Sequence, residues 1–354
     1  HALGQACAST AMIYAMHQIQ VWCMVRHGAD SAWHRAFLKR LASEQLLMAS
    51  ATSEAGIGGD VRSSICAVEE KDGRFAFEKQ ATVISYGADA DGIMATARRT
   101  PQSPASDQVI VVLPKSSYRL EHLQSWNTLG MRGTCSDGYH LKASGETAQI
   151  VPMPYADVSA QTMLPTSHLV WSAVWLGIAS DAVARARAFI RAEARRNAGT
   201  TPIGATRLAE AAQTLKTMKS GLRDSLRQYE AALAEPDQLQ SPHFAVAMNN
   251  LKIASSRLVV QVVEQALLVG QDREAGEIAV EGRLVADRGV ADIGAFREVP
   301  DEQTVEHRFL SASTLGIKQE AVRVGGVRRA PDLVEAEVYS FCSTGFRDPA
   351  IDFF

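Results

Sequence analysis

The sequence predicts an α+β multidomain protein: a helical segment, a small antiparallel β-barrel domain, and a C-terminal bundle of long helices. Three observations predict this order. The chain opens with apolar helical stretches, glycines and short β-rich runs follow, and long stretches with helical spacing come next. The expected domains are 1–48, the end of a helical domain; 49–160, the β domain; 161–269, three of four bundle helices; and 270–354, an unassigned tail.

The first segment is expected to contain two helices. Residues 1–27 are apolar around most of the helical circumference, which predicts one helix buried on several sides. The sequence His-Gly-Ala-Asp at 27–30 ends it. Ser31 then predicts an N-cap, because a serine hydroxyl can accept a hydrogen bond from a free amide in the first turn.

The middle segment predicts short strands joined by tight turns. Residues 65–68 and 75–77 flank Lys-Asp-Gly at 71–73, which is a hairpin signal. Further strands are expected at 82–85, 93–97 and 109–113. Closely spaced short strands with turn signals are typical of a small antiparallel barrel or sandwich.

The third segment predicts three long helices. Apolar residues at helical spacing mark 166–197 and 206–235, and Pro236 ends the second of these helices. Ser241 and Pro242 open the third. Three such helices predict most of an antiparallel bundle. Residues 270–354 show no helical period.

Composition excludes several functional classes. The net charge is −3, without the basic surplus that a nucleic-acid partner would need. The sequence contains no run of about 18 apolar residues, so no membrane span is expected. The five cysteines are scattered without CxxC spacing, which argues against disulfides and zinc and favours a cytoplasmic location; no metal site is expected.

Four short motifs carry a resemblance to a known family. They are Cys-Ala-Ser-Thr-Ala at 7–11, Ser-Glu-Ala-Gly-Ile-Gly-Gly-Asp at 53–60, Thr-Val-Ile-Ser-Tyr-Gly at 82–87 and Leu-Gly-Met-Arg-Gly-Thr at 129–134. In this order they resemble the FAD-binding core of the acyl-CoA dehydrogenase family. The resemblance covers roughly residues 1–268; it leaves the family's N-terminal part incomplete and ends near residue 270.

The resemblance implies FAD as the cofactor and assigns roles to five residues. Ser53 would stand where a hydroxyl bonds the pyrimidine edge of the flavin, and Ser85 where a hydroxyl approaches flavin N5. Val83 replaces a tryptophan beside the ring. Gly58 belongs to the loop whose amides could face a phosphate. Gly59 replaces a serine that can bond the pyrophosphate or the substrate.

The resemblance leaves the catalytic base open. Family dehydrogenases use a glutamate to remove the acyl α-proton, and one of its two positions corresponds here to Ser167. His168 could act as an acid or base in the branch of this fold that hydroxylates its substrate, or it could have no catalytic role. Arg196 would stand near the position of an arginine that binds the FAD of a neighbouring subunit; a solvated arginine at a helix end is the alternative.

The resemblance implies an FAD-dependent oxidoreductase that dehydrogenates an acyl-CoA thioester at its α,β-carbons and passes a hydride to flavin N5. A flavin-dependent monooxygenase on the same fold and a catalytically incomplete fragment remain the alternatives. The implied partners are an acyl-CoA-type substrate and further copies of the chain in a dimer or tetramer. The resemblance also permits an electron-accepting flavoprotein as a partner.

Overall fold

The computed structural model describes residues 1–270, so the predictions for the rest of the tail lie outside the described residues. The described chain begins with three helices. The single helix expected over 1–27 is divided at Cys7, whose backbone is extended at φ −152° and ψ 113°. Ser31 caps the next helix as predicted and accepts a hydrogen bond from the His34 amide. The bounds are α1 Ala2–Ala6, α2 Ala8–His27 and α3 Ala32–Glu44.

Two sheets follow the first three helices. One has three strands in the order β1-β4-β5, and the other has four in the order β2-β3-β7-β6. All neighbouring strands run antiparallel except β1 and β4, which pair in parallel, a departure from the predicted all-antiparallel domain. The bounds are β1 Met48–Ala51, β2 Glu69–Lys71, β3 Arg74–Ala81, β4 Gly92–Arg98, β5 Gln108–Pro114, β6 Tyr118–Gln124 and β7 Gly138–Glu146.

The predicted hairpin at 71–73 joins β2 to β3. Asp72 and Gly73 have φ of 50° and 75°, the left-handed pair that a two-residue hairpin turn needs. Two other expected strands are not regular: 65–68 makes only an isolated bridge at Ala67, and 82–85 is a loop. This loop turns away from the sheet because the Ile84 amide donates to the Asp137 carbonyl oxygen at 2.8 Å.

The two sheets share a core, and the three-stranded sheet also packs against the helices. Phe75, Phe77 and Leu141 face Ile93 and Val111 across the first interface. On the opposite face of β1, β4 and β5, methionine, isoleucine and valine side chains pack against α2 and α3. β4 and β5 are buried on both faces along most of their length, whereas β3, whose end leads into the candidate site, alternates buried and exposed residues.

Three long helices complete the described chain, as the apolar spacing predicted. Ser241 caps the last of them and accepts a hydrogen bond from the Phe244 amide at 3.2 Å. A π-helical turn, Ser159–Met163, precedes the first. The bounds are α4 Tyr155–Val158, α5 Leu164–Arg196, α6 Ala205–Ala232, α7 Pro236–Leu239 and α8 Pro242–Leu268.

The continuous helix Tyr155–Arg196 is long and apolar enough to cross a membrane by length and composition. Its apolar side chains instead pack inside the protein, where 56% of its most apolar window is buried. Leu176, Ala179 and Val183 contact the other two long helices. A core helix has the same composition as a membrane span, so its apolar character is explained by packing.

Candidate active site

The glycine loop at 53–60 forms an open cradle of backbone amides. Gly56, Gly58 and Gly59 all have positive φ, at 91°, 62° and 85°, a conformation that costs glycine little and other residues much. Across the part of the chain that the structure describes, no acceptor lies within hydrogen-bond distance of these three amides. Successive unpaired amides in such a loop form a concavity that suits a phosphate.

A buried ion pair anchors the start of this loop. Glu54 accepts hydrogen bonds from the Ser64 hydroxyl at 2.7 Å and the Cys66 amide at 2.7 Å. Its carboxylate also lies 3.7 Å from Lys79 Nζ, and the two side chains are 4% and 0% exposed. Burial lowers the pKa of Lys79, and the nearby charges of Cys66 and Glu54 oppose that shift.

Ser53 holds the loop against the end of β3. Its hydroxyl donates to the Val83 carbonyl oxygen at 2.9 Å and accepts from the Val83 amide at 3.3 Å. Both residues are half-buried. The structure therefore brings together Ser53, Val83 and the neighbouring Ser85, and we call these three residues the rim.

A chain of three hydroxyls leads inward from the rim. Ser85 Oγ lies 2.7 Å from Ser136 Oγ, which lies 2.8 Å from Thr134 Oγ1. Thr134 Oγ1 donates to the Met131 carbonyl oxygen at 2.7 Å. Thr134 and Ser136 are buried, whereas Ser85 is half-buried at the open end. We call Ser85, Ser136 and Thr134 the hydroxyl chain.

The backbone around the hydroxyl chain is held in unfavourable conformations. Tyr86, Met131 and Cys135 are not glycines, yet have φ of 45°, 51° and 45°. The Tyr86 amide donates to the Thr134 carbonyl oxygen at 2.7 Å, which ties the two loops together. Each such residue costs about 1–3 kcal/mol and is maintained by its surroundings, a pattern that clusters at functional sites.

Cys135 lies beside the hydroxyl chain but is not an activated nucleophile. Burial raises the pKa of its thiol, and the neighbouring carboxylates of Asp89 and Asp137 raise it further. The thiol form therefore dominates at neutral pH, and the thiolate is the nucleophilic form.

The side chains of Ser167 and His168 form hydrogen bonds within the helical part of the protein. The Ser167 hydroxyl donates to the Met163 carbonyl oxygen of the preceding turn. His168 Nδ1 lies 3.1 Å from the Met248 carbonyl oxygen on α8. Burial lowers the pKa of His168 to about 4, with Lys252 contributing, so the imidazole is neutral at physiological pH.

The start of α5 and the hydroxyl chain meet α2 at different points. Beside Ser167, Thr166 contacts the Tyr229 hydroxyl, which accepts from Trp22 on α2. Gly133, next to Thr134, instead lies against Ser9, where an added Cβ would come within 3.1 Å. Thirteen residues separate Ser9 from Trp22, about 20 Å along the helix. Among the described residues, the hydrogen bond and ring contact of His168 are with Met248 and Trp171, not with the hydroxyl chain.

Arg196 is exposed at the last position of α5. Its contact with the FAD of a neighbouring subunit stays a prediction.

Two residues of the site were not identified from the sequence. Thr134 closes the quoted motif at 129–134 without an assigned role, and Ser136 lies beyond it. The signal that could have found them is the run Thr-Cys-Ser at 134–136, three small polar side chains directly after a glycine. Only the fold shows that Ser136 contacts Ser85 and that Thr134 contacts Ser136.

No family model and no curated protein matches the sequence. Solved structures do match. The FMN-bound TdsC from Paenibacillus sp. A11-2 has a TM-score of 0.65 and 20% identity, with 82% of this chain and 76% of that chain covered. A glutaryl-coenzyme A dehydrogenase in complex with glutaryl-CoA has a TM-score of 0.65 and 16% identity, with 84% and 73% covered.

A third similar structure is a nitrososynthase from Micromonospora carbonacea var. africana, with a TM-score of 0.65, 17% identity, and coverage of 83% of this chain and 75% of that chain. At these identities the likeness shows the fold. The predicted α+β multidomain fold, similar to that of acyl-CoA dehydrogenases, is therefore confirmed.

Proposed function

We propose that this chain is a flavin-dependent oxidoreductase that binds its flavin at the rim, within residues 49–160. The observation that carries the proposal is the juxtaposition of two polar features at the end of β3. Free amides at Gly58 and Gly59 suit a phosphate group of FAD or FMN. The Ser53 hydroxyl bonds the Val83 backbone, and Ser85 follows two residues later, so that both hydroxyls could bond the polar edge of a planar ring.

The space at the glycine loop also supports the proposal. An added Cβ on Gly58 would meet nothing within 4 Å, whereas one on Gly56 would come within 2.9 Å of the Ile65 side chain. Val83 offers an apolar contact for the ring where a tryptophan would offer a larger one. When bound, the flavin would supply the redox chemistry, while these residues bind and orient it.

We infer an oxygen-dependent reaction, in which the flavin is reduced before the substrate reacts. Dehydrogenation of an acyl thioester needs a base for the α-proton. At one of the two positions that the resemblance gives for this base, the Ser167 hydroxyl donates a hydrogen bond to the Met163 carbonyl oxygen. The second position lies outside the described residues. A monooxygenase does not need that base, and TdsC is described as a dibenzothiophene monooxygenase.

Dehydrogenation of an acyl-CoA thioester is the second candidate. It is favoured by the similarity to glutaryl-CoA dehydrogenase, whose TM-score equals that of FMN-bound TdsC. In that case an electron-accepting flavoprotein would reoxidise the flavin, and FAD rather than FMN would be the cofactor.

One experiment tests both candidates. The full chain is titrated with FAD and FMN, and the flavin spectrum reports binding. The loaded protein is then mixed anaerobically with a panel of acyl-CoA thioesters, and separately with externally reduced flavin, oxygen and indole as an aromatic probe. We expect oxygen consumption with oxygenated indole as the product. Bleaching by an acyl-CoA would establish dehydrogenation instead, and failure to bind either flavin would overturn the proposal.

We also propose that copies of the chain associate through the helical bundle. Val246, Ile253 and Leu267 lie at spacings of seven and fourteen on α8, with 56%, 46% and 43% exposure. Covering such a stripe removes apolar surface from water. Sedimentation at micromolar concentration should show a dimer or tetramer, whereas a monomer would contradict association through α8.

A further inference from the structure

The proton positions along the hydroxyl chain follow from counting donors. Each hydroxyl has one proton and two lone pairs. A carbonyl oxygen only accepts, so the Thr134 proton is used on Met131. Ser136 must then donate to Thr134, and Ser85 must donate to Ser136. The proton of Ser85 therefore points into the protein, and only its lone pairs remain for a ligand.

The Met131 carbonyl oxygen fixes the inner end of the hydroxyl chain, because a carbonyl oxygen can only accept a hydrogen bond. It also accepts from the indole Nε1 of Trp126 at 3.0 Å and from the Thr134 amide at 3.0 Å. Reversal of the chain would keep both bonds of Ser136 but break the bond from Thr134, which is 3% exposed, to the Met131 carbonyl oxygen. A lost hydrogen bond in such a place is costly, so the inward direction is favoured.

The second hydroxyl of the rim is oriented in the same way. Ser53 donates its proton to the Val83 carbonyl oxygen and uses one lone pair on the Val83 amide. One lone pair remains. Both hydroxyls of the rim are therefore acceptors only, and the ligand edge that complements them carries N–H groups.

We infer that Thr134 and Ser136 are positioning residues that set the redox preference of the site by keeping Ser85 an acceptor. The inference rests on the proposed flavin function. The ring carries N3–H in both redox states, whereas N5 is an acceptor when oxidised and carries a hydrogen when reduced. With Ser85 beside N5, as the family resemblance implies, an acceptor there would bond the reduced ring and not the oxidised one. Thr134 and Ser136 act through Ser85 and touch no ligand.

The test compares affinities for oxidised and reduced FMN, measured anaerobically on the full chain. Wild type should bind the reduced form more tightly. In Thr134→Val, Ser136 loses its acceptor and turns its proton to Ser85, whose own proton is freed towards the ligand. The preference for reduced FMN should fall about fivefold, which is about 20 mV for a two-electron couple. Part of this change should be tighter binding of oxidised FMN, which damaged folding does not produce.

Three controls assign the effect to the hydroxyl chain. Ser136→Ala should change the preference in the same direction as Thr134→Val. Thr134→Ser, which keeps the hydroxyl, should restore the wild-type ratio. In a Ser85→Ala background, Thr134→Val should have no further effect on the ratio.

The outcomes separate this inference from the function on which it rests. If no flavin binds in either redox state, the proposed function is wrong and the inference falls with it. If flavin binds but Thr134→Val leaves the ratio of affinities at the wild-type value, the function stands and the inference is overturned. A Ser85→Ala variant with an unchanged ratio would overturn it equally.

Discussion

The helical bundle and the loops around Ser85 bury different chemistry. In the bundle, the buried residues of α6 and α8 are mostly apolar and recur at helical spacing. Around Ser85 the protein buries two hydroxyls and holds three non-glycine residues at positive φ. The bundle is stabilised by apolar area removed from water, whereas the rim depends on directional hydrogen bonds.

This difference shows where the fold is under strain. Apolar packing tolerates small adjustments, because dispersion contacts are many and individually weak. A hydrogen-bonded loop has few contacts, and each has a direction that must be kept. We therefore expect changes near the rim to alter ligand preference, and changes in the bundle to alter stability alone.

The largest expected effect comes from the buried ion pair beneath the glycine loop. Lys79→Met would leave the Glu54 carboxylate buried without its cation, at a cost of about 3–5 kcal/mol in unfolding free energy. The double variant Glu54→Gln with Lys79→Met should recover part of this loss, because the amide keeps an acceptor for Ser64 and Cys66. Urea unfolding measures the unfolding free energy of both variants. A value for Lys79→Met within about 1 kcal/mol of wild type would contradict the expected cost.

A substitution in the bundle should separate stability from flavin binding. Leu169 is fully buried among α6, α7 and α8 residues, and Leu169→Ala should lower the unfolding free energy by about 2–5 kcal/mol. Below the unfolding transition, flavin affinity should remain at the wild-type value. The matched control is Ile203→Ala, at a residue 76% exposed between α5 and α6, expected to stay within about 0.5 kcal/mol. Loss of flavin affinity in folded Leu169→Ala would show that the two regions are coupled.

The pH dependence of stability should reflect the buried imidazole of His168. Its pKa is about 4 in the folded chain, lowered by burial, against 6.5 as the ordinary value. The contribution of this neutral imidazole to the unfolding free energy is fully present above pH 6.5. It is lost as pH falls towards 4, with a slope of up to about 1.4 kcal/mol per pH unit. Removing this titration with His168→Gln should reduce the slope of unfolding free energy against pH in this window. An unchanged slope would mean that the imidazole is solvated.

The smallest expected effect is at the rim itself. Ser85→Ala should weaken binding of reduced flavin by about 1 kcal/mol, because one hydrogen bond to the ligand is lost. Ser43→Ala serves as the control, since this serine is exposed on α3. Anaerobic fluorescence titration measures both variants. Equal affinities for Ser85→Ala and wild type would remove Ser85 from the flavin site.

The long helices could be predicted from the sequence because their apolar residues recur at helical spacing over many residues. The parallel pairing of β1 with β4 could not, since four residues carry too little pattern to specify a partner. β7 did carry a usable signal, because Tyr139, Leu141 and Ala143 alternate with polar residues. The assignment of Ser53, Val83 and Ser85 to a flavin site stays a prediction. The structure links Ser53 to Val83 and Ser85 to Ser136, and Ser136 is placed by a bend at Cys135 that no local pattern encodes.

The most direct test of the rim as the flavin site is amide hydrogen exchange on the full chain with and without FMN. The account predicts slower exchange at Gly56–Gly59, at 83–86 and at 131–136 when flavin is bound, because free amides gain acceptors and the loops are ordered. Amides in the middle of α6 and α8 should exchange at unchanged rates. Protection confined to α6 and α8, with none at the glycine loop, would place the flavin elsewhere and contradict the account.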